Sequence, residues 1–199
     1  MTAVALVADD GAAVPLDADR WVGAPTAEDR SLLDRCRGPV LDVGCGPGRL
    51  VAALAAAGVP ALGVDVAPGA VRLARARGAD AVVASVFSPL PLTGRWGTVL
   101  LADGNVGIGG RPAALLARVA ALLRPGGRLL VELDPPGSPT WSFRARLARD
   151  GVPSGPAFPW ARVAVDAAAG LAGPAGLALA GTWCAGGRWF ARLDAVSRS

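Results

Sequence analysis

A glycine-rich turn at residues 44–48 is the part of the chain best suited to bind a ligand. It reads Gly-Cys-Gly-Pro-Gly, and glycines let the backbone approach a ligand without a side-chain clash. Asp42 lies just before the turn, and Asp65 follows Gly46 by 19 residues, at the end of the next apolar run. An acid at that distance can accept hydrogen bonds from ribose hydroxyls, and Asp42 favours a cation. The pattern therefore predicts a site for a positively charged nucleoside.

A dinucleotide is a weaker fit to the same turn. The dinucleotide fingerprint G-x-G-x-x-G requires Gly at position 49, where this chain has Arg49. Pro47 also tightens the turn. A dinucleotide-dependent oxidoreductase is therefore disfavoured.

The composition limits the chemistry that the chain can perform. All 20 basic residues of the 199 are Arg, and there is no His, Lys or Tyr. Nucleophile systems that depend on His, sites with His metal ligands, Schiff-base lysines and P-loop lysines are all excluded. A proton acceptor would have to be a carboxylate or a thiol. We expect no metal site.

The elements that position these residues alternate between strands and helices. This alternation predicts an α/β fold: a doubly wound, mostly parallel seven-stranded sheet with helices on both faces and a reversed last strand. Strands are expected at 40–43, 61–64, 81–84, 97–102, 128–134, 177–184 and 188–193, and helices at 26–37, 49–57, 68–77, 112–124 and 165–171.

The whole chain, 1–199, is expected to form a single domain. We divide it into an N-terminal segment and helix (1–37), a ligand-binding core (38–134), an inserted lid-like segment (135–160), and a terminal helix and strand pair (161–199). Residues 1–25 are predicted to be irregular. The insert is predicted to contain one basic helix around Arg144, Arg146 and Arg149.

Three motifs in order resemble the class I S-adenosylmethionine-dependent methyltransferases. Residues 40–48 (VLDVGCGPG) match the first motif of that family, and residues 63–66 (GVDV) are similar to the second. Residues 122–130 (LLRPGGRLL) resemble the late motif that leads into the fifth strand. The resemblance covers about residues 38–134 and implies a methyltransferase that uses S-adenosylmethionine.

The resemblance also implies a set of binding residues, in which Asp65 binds the ribose and Val66 packs on the adenine. Many members carry an acid after the third strand that bonds the adenine amine; here Ser85 or the backbone of Val86 would take that role, and Ser85 could also be an ordinary strand-end residue. Cys45 fills a motif position and is not expected to act as a nucleophile. The implied cofactor-binding residues are Asp42, Gly44, Cys45, Gly46, Gly48, Asp65, Val66, Ser85, Val86 and Ala102.

The loop after the fourth strand faces the methyl group in the resembled family. Asp103 could bind the methionine amine, orient the acceptor or take its proton, and Asn105 could orient the acceptor. Both residues are also ordinary turn formers. We predict Asp103 and Asn105 as the catalytic residues of a reaction that works mainly by positioning.

A small molecule is the predicted methyl acceptor. Trp21, Trp141 and Trp160 lie in segments that commonly roof the acceptor pocket of the resembled family, although each could be a packing residue. Two alternatives stay open. One is an RNA methyltransferase that contacts phosphates through Arg144 and its neighbours, whose affinity would fall steeply with salt. The other is a non-catalytic S-adenosylmethionine-binding protein.

The cysteine pattern favours a cytoplasmic protein. Cys36, Cys45 and Cys184 are an odd, widely spaced set without a CxxC pair, which is typical of reduced thiols. The first residues lack a basic signal-peptide region, and the uncharged stretch 167–187 is too rich in glycine for a membrane span. We expect no contact with membranes and little with nucleic acid, and either a monomer or a homodimer.

Overall fold

A computed structural model describes residues 3–196 of the chain. The strands are β1 (Val4–Ala8), β2 (Ala13–Leu16), β3 (Val40–Val43), β4 (Ala61–Asp65), β5 (Ala81–Val83), β6 (Trp96–Leu101), β7 (Leu123–Leu133), β8 (Trp141–Arg149), β9 (Val152–Arg162), β10 (Leu177–Ala185) and β11 (Arg188–Ala195). The helices are α1 (Ala18–Val22), α2 (Ala27–Leu33), α3 (Arg49–Ala56), α4 (Pro68–Ala76), α5 (Pro112–Leu122) and α6 (Ala168–Ala172).

Seven strands form the main sheet, in the order β10-β11-β7-β6-β3-β4-β5. Strands β7, β6, β3, β4 and β5 run parallel, and β11 pairs antiparallel with β7. The prediction of a mostly parallel seven-stranded sheet with a reversed last strand is confirmed. Because parallel strands end at the same edge, the loops after β3, β4 and β6 meet there.

The sheet is buried on both faces, since side chains alternate along each strand. Val40, Leu100 and Leu130 point to one side, where they pack with residues of α2 and α3. Leu41 and Leu101 point to the other side and pack against α5. Helices therefore cover both faces, as predicted.

A second, four-stranded antiparallel sheet has the order β2-β1-β8-β9. The prediction of a basic helix within 135–160 is wrong, because this segment forms the β8–β9 hairpin. The prediction of an irregular segment over 1–25 is also wrong, because that region contains β1, β2 and α1. The run 141–147 alternates apolar and polar residues with the period of a strand, and the prolines of 153–159 are tolerated because β9 is an edge strand.

The second sheet lies beside the loop that follows β6. A Cβ atom on Gly107 of that loop would overlap the Ala161 carbonyl oxygen and lie 2.6 Å from the Trp160 indole nitrogen. Strand β9 therefore packs directly on the loop.

Helix α2 begins as predicted and ends earlier than predicted. A capping box joins Thr26 and Asp29, and the helix ends at Leu33 rather than near Arg37. Within residues 3–196, no helix is both long enough and apolar enough to cross a membrane.

Candidate active site at the carboxyl edge of the main sheet

The glycine loop, residues 44–48, connects β3 to α3. Gly44, Gly46 and Gly48 have φ values of 73°, 53° and 79°, which are unfavourable for other residues. A Cβ atom on Gly46 would meet nothing within 4 Å, so there is open space above the loop. A Cβ atom on Gly48 would lie 2.6 Å from the Cβ of Ala74, so this glycine is also needed to pack α3 against α4.

Asp65 lies at the end of β4, and its carboxylate is fixed against the glycine loop. One oxygen accepts a hydrogen bond from the Gly46 amide at 2.9 Å, and the other accepts one from the Ala67 amide at 2.8 Å. A carboxylate has about four lone-pair sites, so each oxygen can accept another donor. Val66, which follows, is 70% exposed and offers an apolar surface beside the carboxylate.

Asp42 lies under the glycine loop and is almost completely buried. Burial raises the pKa of this carboxyl to about 7, although the nearby guanidinium of Arg49 opposes the shift. A cation bound above the loop would favour the ionised form. This arrangement suits a ligand that carries positive charge.

Ser85 and Val86 lie in the segment after β5, the edge strand next to β4. The Ser85 hydroxyl accepts a hydrogen bond from the Phe87 amide at 3.2 Å, and the Val86 carbonyl accepts one from Arg118 Nε at 2.8 Å. Val86 is buried. The Ser85 oxygen keeps one lone pair for a further donor.

Cys45 packs inside the protein rather than facing a ligand. Its Sγ would lie 2.6 Å from a Cβ atom on Gly63, which explains the glycine at that position of β4. Burial raises the pKa of the Cys45 thiol, so it stays protonated. A protonated, buried thiol is a poor nucleophile.

The β6 loop, residues 102–110, joins the end of β6 to α5. Asp103 has a φ of 53°, an uncommon conformation for a residue other than glycine, and its amide donates to Glu132 Oε2 at 2.6 Å. The carbonyl of buried Ala102 accepts a hydrogen bond from the Asn105 amide at 3.0 Å. Asn105 Nδ2 in turn donates to the Val43 and Gly44 carbonyls, so the β6 loop contacts the glycine loop.

A charged cluster lies behind the β6 loop and consists of three guanidinium groups and three carboxylates. Its members are Arg20, Asp29, Arg49, Asp103, Glu132 and Arg188. Arg49 donates to Asp29 at 3.0 and 2.8 Å and to Asp103 at 2.6 and 3.2 Å. Asp29 is completely buried; burial opposes its ionisation, but hydrogen bonds from Arg49 and Arg188 hold its pKa below the usual range.

Arg188, the first residue of β11, also belongs to the charged cluster. It donates to Glu132 at 2.8 and 2.7 Å and to Asp29 at 2.8 Å. Arg20 of α1 contacts Asp103 at 3.1 Å, and its Nε is buried without a hydrogen-bond partner among residues 3–196. The cluster has no net formal charge, and Arg20 retains an unused donor.

A cavity of about 190 Å³ lies between the β6 loop, the end of β7 and the second sheet. Trp21 and Trp160 form part of its wall, with Arg20 and Asp103 among its polar residues. Trp141 is not part of that wall; it stacks on Phe143 with ring centroids 4.2 Å apart. The cavity next to Asp103 is therefore lined by both charged and apolar side chains, two of which are aromatic.

Residues 40–127, which include the glycine loop, Asp65 and the β6 loop, match the family model described as a methyltransferase domain. This match covers 88 of the 199 residues and assigns that segment to the methyltransferase domain type. The family resemblance predicted from the three motifs is therefore confirmed. A search of curated protein sequences finds no significant match.

Solved structures share the fold of this methyltransferase domain well beyond the matched residues. A Bacteroides fragilis S-adenosylmethionine-dependent methyltransferase, in complex with S-adenosyl-L-homocysteine, aligns over 98% of this chain and 88% of its own with a TM-score of 0.77 and 21% identity. The Burkholderia thailandensis 1,6-didemethyltoxoflavin-N1-methyltransferase aligns over 86% and 79%, with a TM-score of 0.65 and 21% identity. The amino pentose methyltransferase CalS10 of Micromonospora echinaspora aligns over 89% and 94%, with a TM-score of 0.63 and 21% identity.

The methyltransferase domain brings the predicted site residues together at one edge of its sheet. The residues predicted to bind the cofactor lie in or beside the glycine loop, after β4 and β5, and at the end of β6; they are Asp42, Gly44, Cys45, Gly46, Gly48, Asp65, Val66, Ser85, Val86 and Ala102. Asp103 and Asn105 both lie in the β6 loop, but their side chains are already engaged by guanidinium groups and by backbone carbonyls. Whether either acts on the acceptor stays a prediction.

Sequence reasoning missed most of the charged cluster. Asp29 and Arg188 are 159 residues apart in the chain, and Arg49 and Asp103 are 54 apart. The sequence held one weak local signal of a buried partner for Arg49. Arg49 is the first residue of α3, where the helix dipole disfavours a positive charge. A buried carboxylate partner explains why arginine stands there.

Proposed function

We propose that this methyltransferase transfers a methyl group from S-adenosylmethionine to a small-molecule acceptor. The observation that carries the proposal is the placement of the cavity. It lies against Asp103 and Gly104, in the same loop that Asn105 ties to the glycine loop. A cofactor at the glycine loop and an acceptor in the cavity would therefore meet at the β6 loop.

The residues at the sheet edge fit the cofactor. Asp65 would accept the ribose hydroxyls, and the open space above Gly46 would admit the nucleoside. Val66 and Ser85 would contact the adenine, and Asp42 would favour the positive charge. S-Adenosylmethionine supplies a methyl group that its sulfonium has already activated.

The acceptor site is proposed to be the cavity walled by Trp21 and Trp160. Its volume of about 190 Å³ is below the range of about 300–1,000 Å³ for typical ligand pockets, which favours a compact acceptor. The toxoflavin-precursor and amino pentose methyltransferases that share the fold are named for small-molecule acceptors, which supports the same class here.

Catalysis is proposed to rest on positioning. Methyl transfer from an activated carbon requires an acceptor held in line and in a dry pocket, and a base only when the acceptor arrives protonated. Both Asp103 oxygens accept hydrogen bonds from Arg49, which favours Asp103 as a fixed anchor for the guanidinium groups at the cavity wall. Arg20, which also lines the cavity, is proposed as a hydrogen-bond donor at the same wall.

The proposal also covers the domain organisation, the cellular location and the oligomeric state. We propose one catalytic unit spanning 1–199, with the β8–β9 hairpin as the lid-like segment. The protein is expected in the cytoplasm as a monomer or a homodimer.

Calorimetry with S-adenosylhomocysteine tests the cofactor site. The wild-type protein should bind this probe, and Asp65→Ala should bind it at least about 10-fold more weakly, because hydrogen bonds to a charged group are lost. Asp80→Ala is the matched control, because Asp80 is an exposed acid just before the next strand. This variant should bind like the wild type. Equal affinity of all three proteins would refute the ribose assignment.

Methyl-labelled cofactor and fractionated cell extract test the reaction. The label should appear in a low-molecular-weight product and should be absent with Asp65→Ala. Label in RNA would overturn the small-molecule acceptor. Binding without labelled product in any fraction would favour a non-catalytic binding protein.

A further inference from the structure

Asn105 connects two loops that begin at different strands of the sheet. We propose that Asn105 is a positioning residue, which holds the glycine loop in the conformation that binds the cofactor. This inference rests on the proposed function, because it assigns the glycine loop to S-adenosylmethionine.

The contacts of the Asn105 amide are specific. Nδ2 donates to the Val43 carbonyl at 2.9 Å and to the Gly44 carbonyl at 2.9 Å, so both of its hydrogens are used. The glycine loop is held on its other side by β4, where the Gly44 and Cys45 amides donate to the Val64 carbonyl at 2.8 and 3.1 Å. The loop therefore has its amides fixed by one neighbouring strand and its carbonyls fixed by Asn105.

Gly44 provides the space that this contact needs. A Cβ atom on Gly44 would lie 2.6 Å from Asn105 Nδ2 and 2.8 Å from Asn105 Cγ. The amide thus lies directly against the glycine. The first glycine of the motif is required both for its positive φ and for the approach of Asn105.

Asn105 is itself held in place from the next strand of the sheet. The backbone amide of Asn105 donates to the Ala102 carbonyl, and the backbone amide of nearby Asp103 donates to the Glu132 carboxylate at 2.6 Å. Glu132 is fixed in turn by two hydrogen bonds from Arg188. The support of the glycine loop therefore extends from β3 across β6 to β7.

The first experiment measures S-adenosylhomocysteine binding to Asn105→Ala by calorimetry. Without the two hydrogen bonds, binding must order the loop, and we expect about 10-fold weaker affinity. Thr93→Ala is the matched control, because Thr93 Oγ1 also donates to a backbone carbonyl (Leu90, 2.8 Å) in a loop outside the site. Its affinity should equal that of the wild type.

A second pair of variants tests the contact with Gly44 directly. Gly44→Ala should nearly abolish binding, because its new methyl group overlaps the Asn105 amide. Adding Asn105→Ala to Gly44→Ala should then strengthen binding about 3-fold or more over Gly44→Ala alone, since the overlapping atoms are gone. A general loss of structure would weaken binding further instead of restoring part of it.

The outcomes separate this inference from the proposed function. Failure of the wild-type protein to bind S-adenosylhomocysteine refutes the proposed function. Wild-type binding together with unchanged affinity in Asn105→Ala refutes the positioning role of Asn105. The positioning role is also overturned if the double variant Gly44→Ala/Asn105→Ala binds S-adenosylhomocysteine no better than Gly44→Ala alone.

Discussion

Replacing Asp103 with alanine removes the carboxylate shared by three guanidinium groups. Arg49 contacts it at 2.6 Å, Arg20 at 3.1 Å and Arg188 at 3.3 Å, and all three side chains are mostly buried. Removing one partner of a buried ion pair costs about 3–5 kcal/mol, because the remaining charges lose their compensation. Arg49 and Arg188 keep Asp29 as a partner, so we expect the lower end, about 3 kcal/mol.

The backbone adds a second cost. Asp103 has a φ of 53°, and an alanine in this left-handed region costs roughly 1 kcal/mol more than a residue that tolerates it. The expected loss in the free energy of unfolding is then about 4 kcal/mol. For a domain of this size, each kcal/mol lowers Tm by about 2–4 °C, so the decrease should be roughly 10 °C.

Urea denaturation followed by tryptophan fluorescence measures this loss, and the chain offers a matched control. Asp150 has a φ of 49°, but its carboxylate is exposed and accepts a hydrogen bond from the Ala3 amide instead of joining the charged cluster. Asp150→Ala therefore reports the backbone cost. If Asp103→Ala loses no more stability than Asp150→Ala, the charged cluster does not contribute as we have argued.

The same position separates anchoring from proton transfer. Asp103→Asn keeps the shape of the side chain but cannot accept a proton from the acceptor. If Asp103 only anchors the guanidinium groups of the charged cluster, turnover should follow the folded fraction of the protein. Complete loss of turnover in fully folded Asp103→Asn would instead assign it the role of a base.

Two further predictions concern the interior near the site. Burial raises the pKa of Asp42 to about 7, from an unfolded value near 3.9. Its protonated form therefore stabilises the folded protein at low pH. This contribution to the free energy of unfolding declines as the pH rises above about 4, by up to about 1.4 kcal/mol per pH unit, and is lost above about pH 7. Urea midpoints of the ligand-free protein should show this decline and those of Asp42→Asn should not; parallel curves would contradict the assignment. Gly107→Ala should lower the free energy of unfolding by about 1–3 kcal/mol, because the new methyl group overlaps β9, whereas Gly170→Ala, a helical site with open space, should raise it by about 0.5–1 kcal/mol. Equal effects of the two substitutions in urea denaturation would refute the contact between the β6 loop and β9.

The elements of the main sheet could be predicted because their signals are local. Strand β3 is an apolar run followed by a glycine turn, and α2 begins with a capping box formed by Thr26 and Asp29. Both signals are contained within a few neighbouring residues. The prediction failed for β8, because Arg144 and its neighbours were interpreted as a helix face although the run alternates with the period of a strand.

The second sheet could not be predicted for a different reason. Strand β1 pairs with β8, and Leu6 lies opposite Leu147. No local pattern indicates a partner about 140 residues away. No local pattern indicates the cavity wall either: the family resemblance suggested Trp21, Trp141 and Trp160, and only Trp21 and Trp160 line the cavity.

The sequence by itself predicted the family resemblance and the place of the proposed cofactor residues, because the glycine loop and Asp65 form a local pattern at the ends of consecutive parallel strands. Only the tertiary structure decided what surrounds them. Asp103 and Asn105 are turn residues in the sequence, but folding brings the first to Arg49 and the second to the Gly44 carbonyl. Buried charges and buried amides must find partners, and the fold, rather than the neighbouring sequence, supplies those partners.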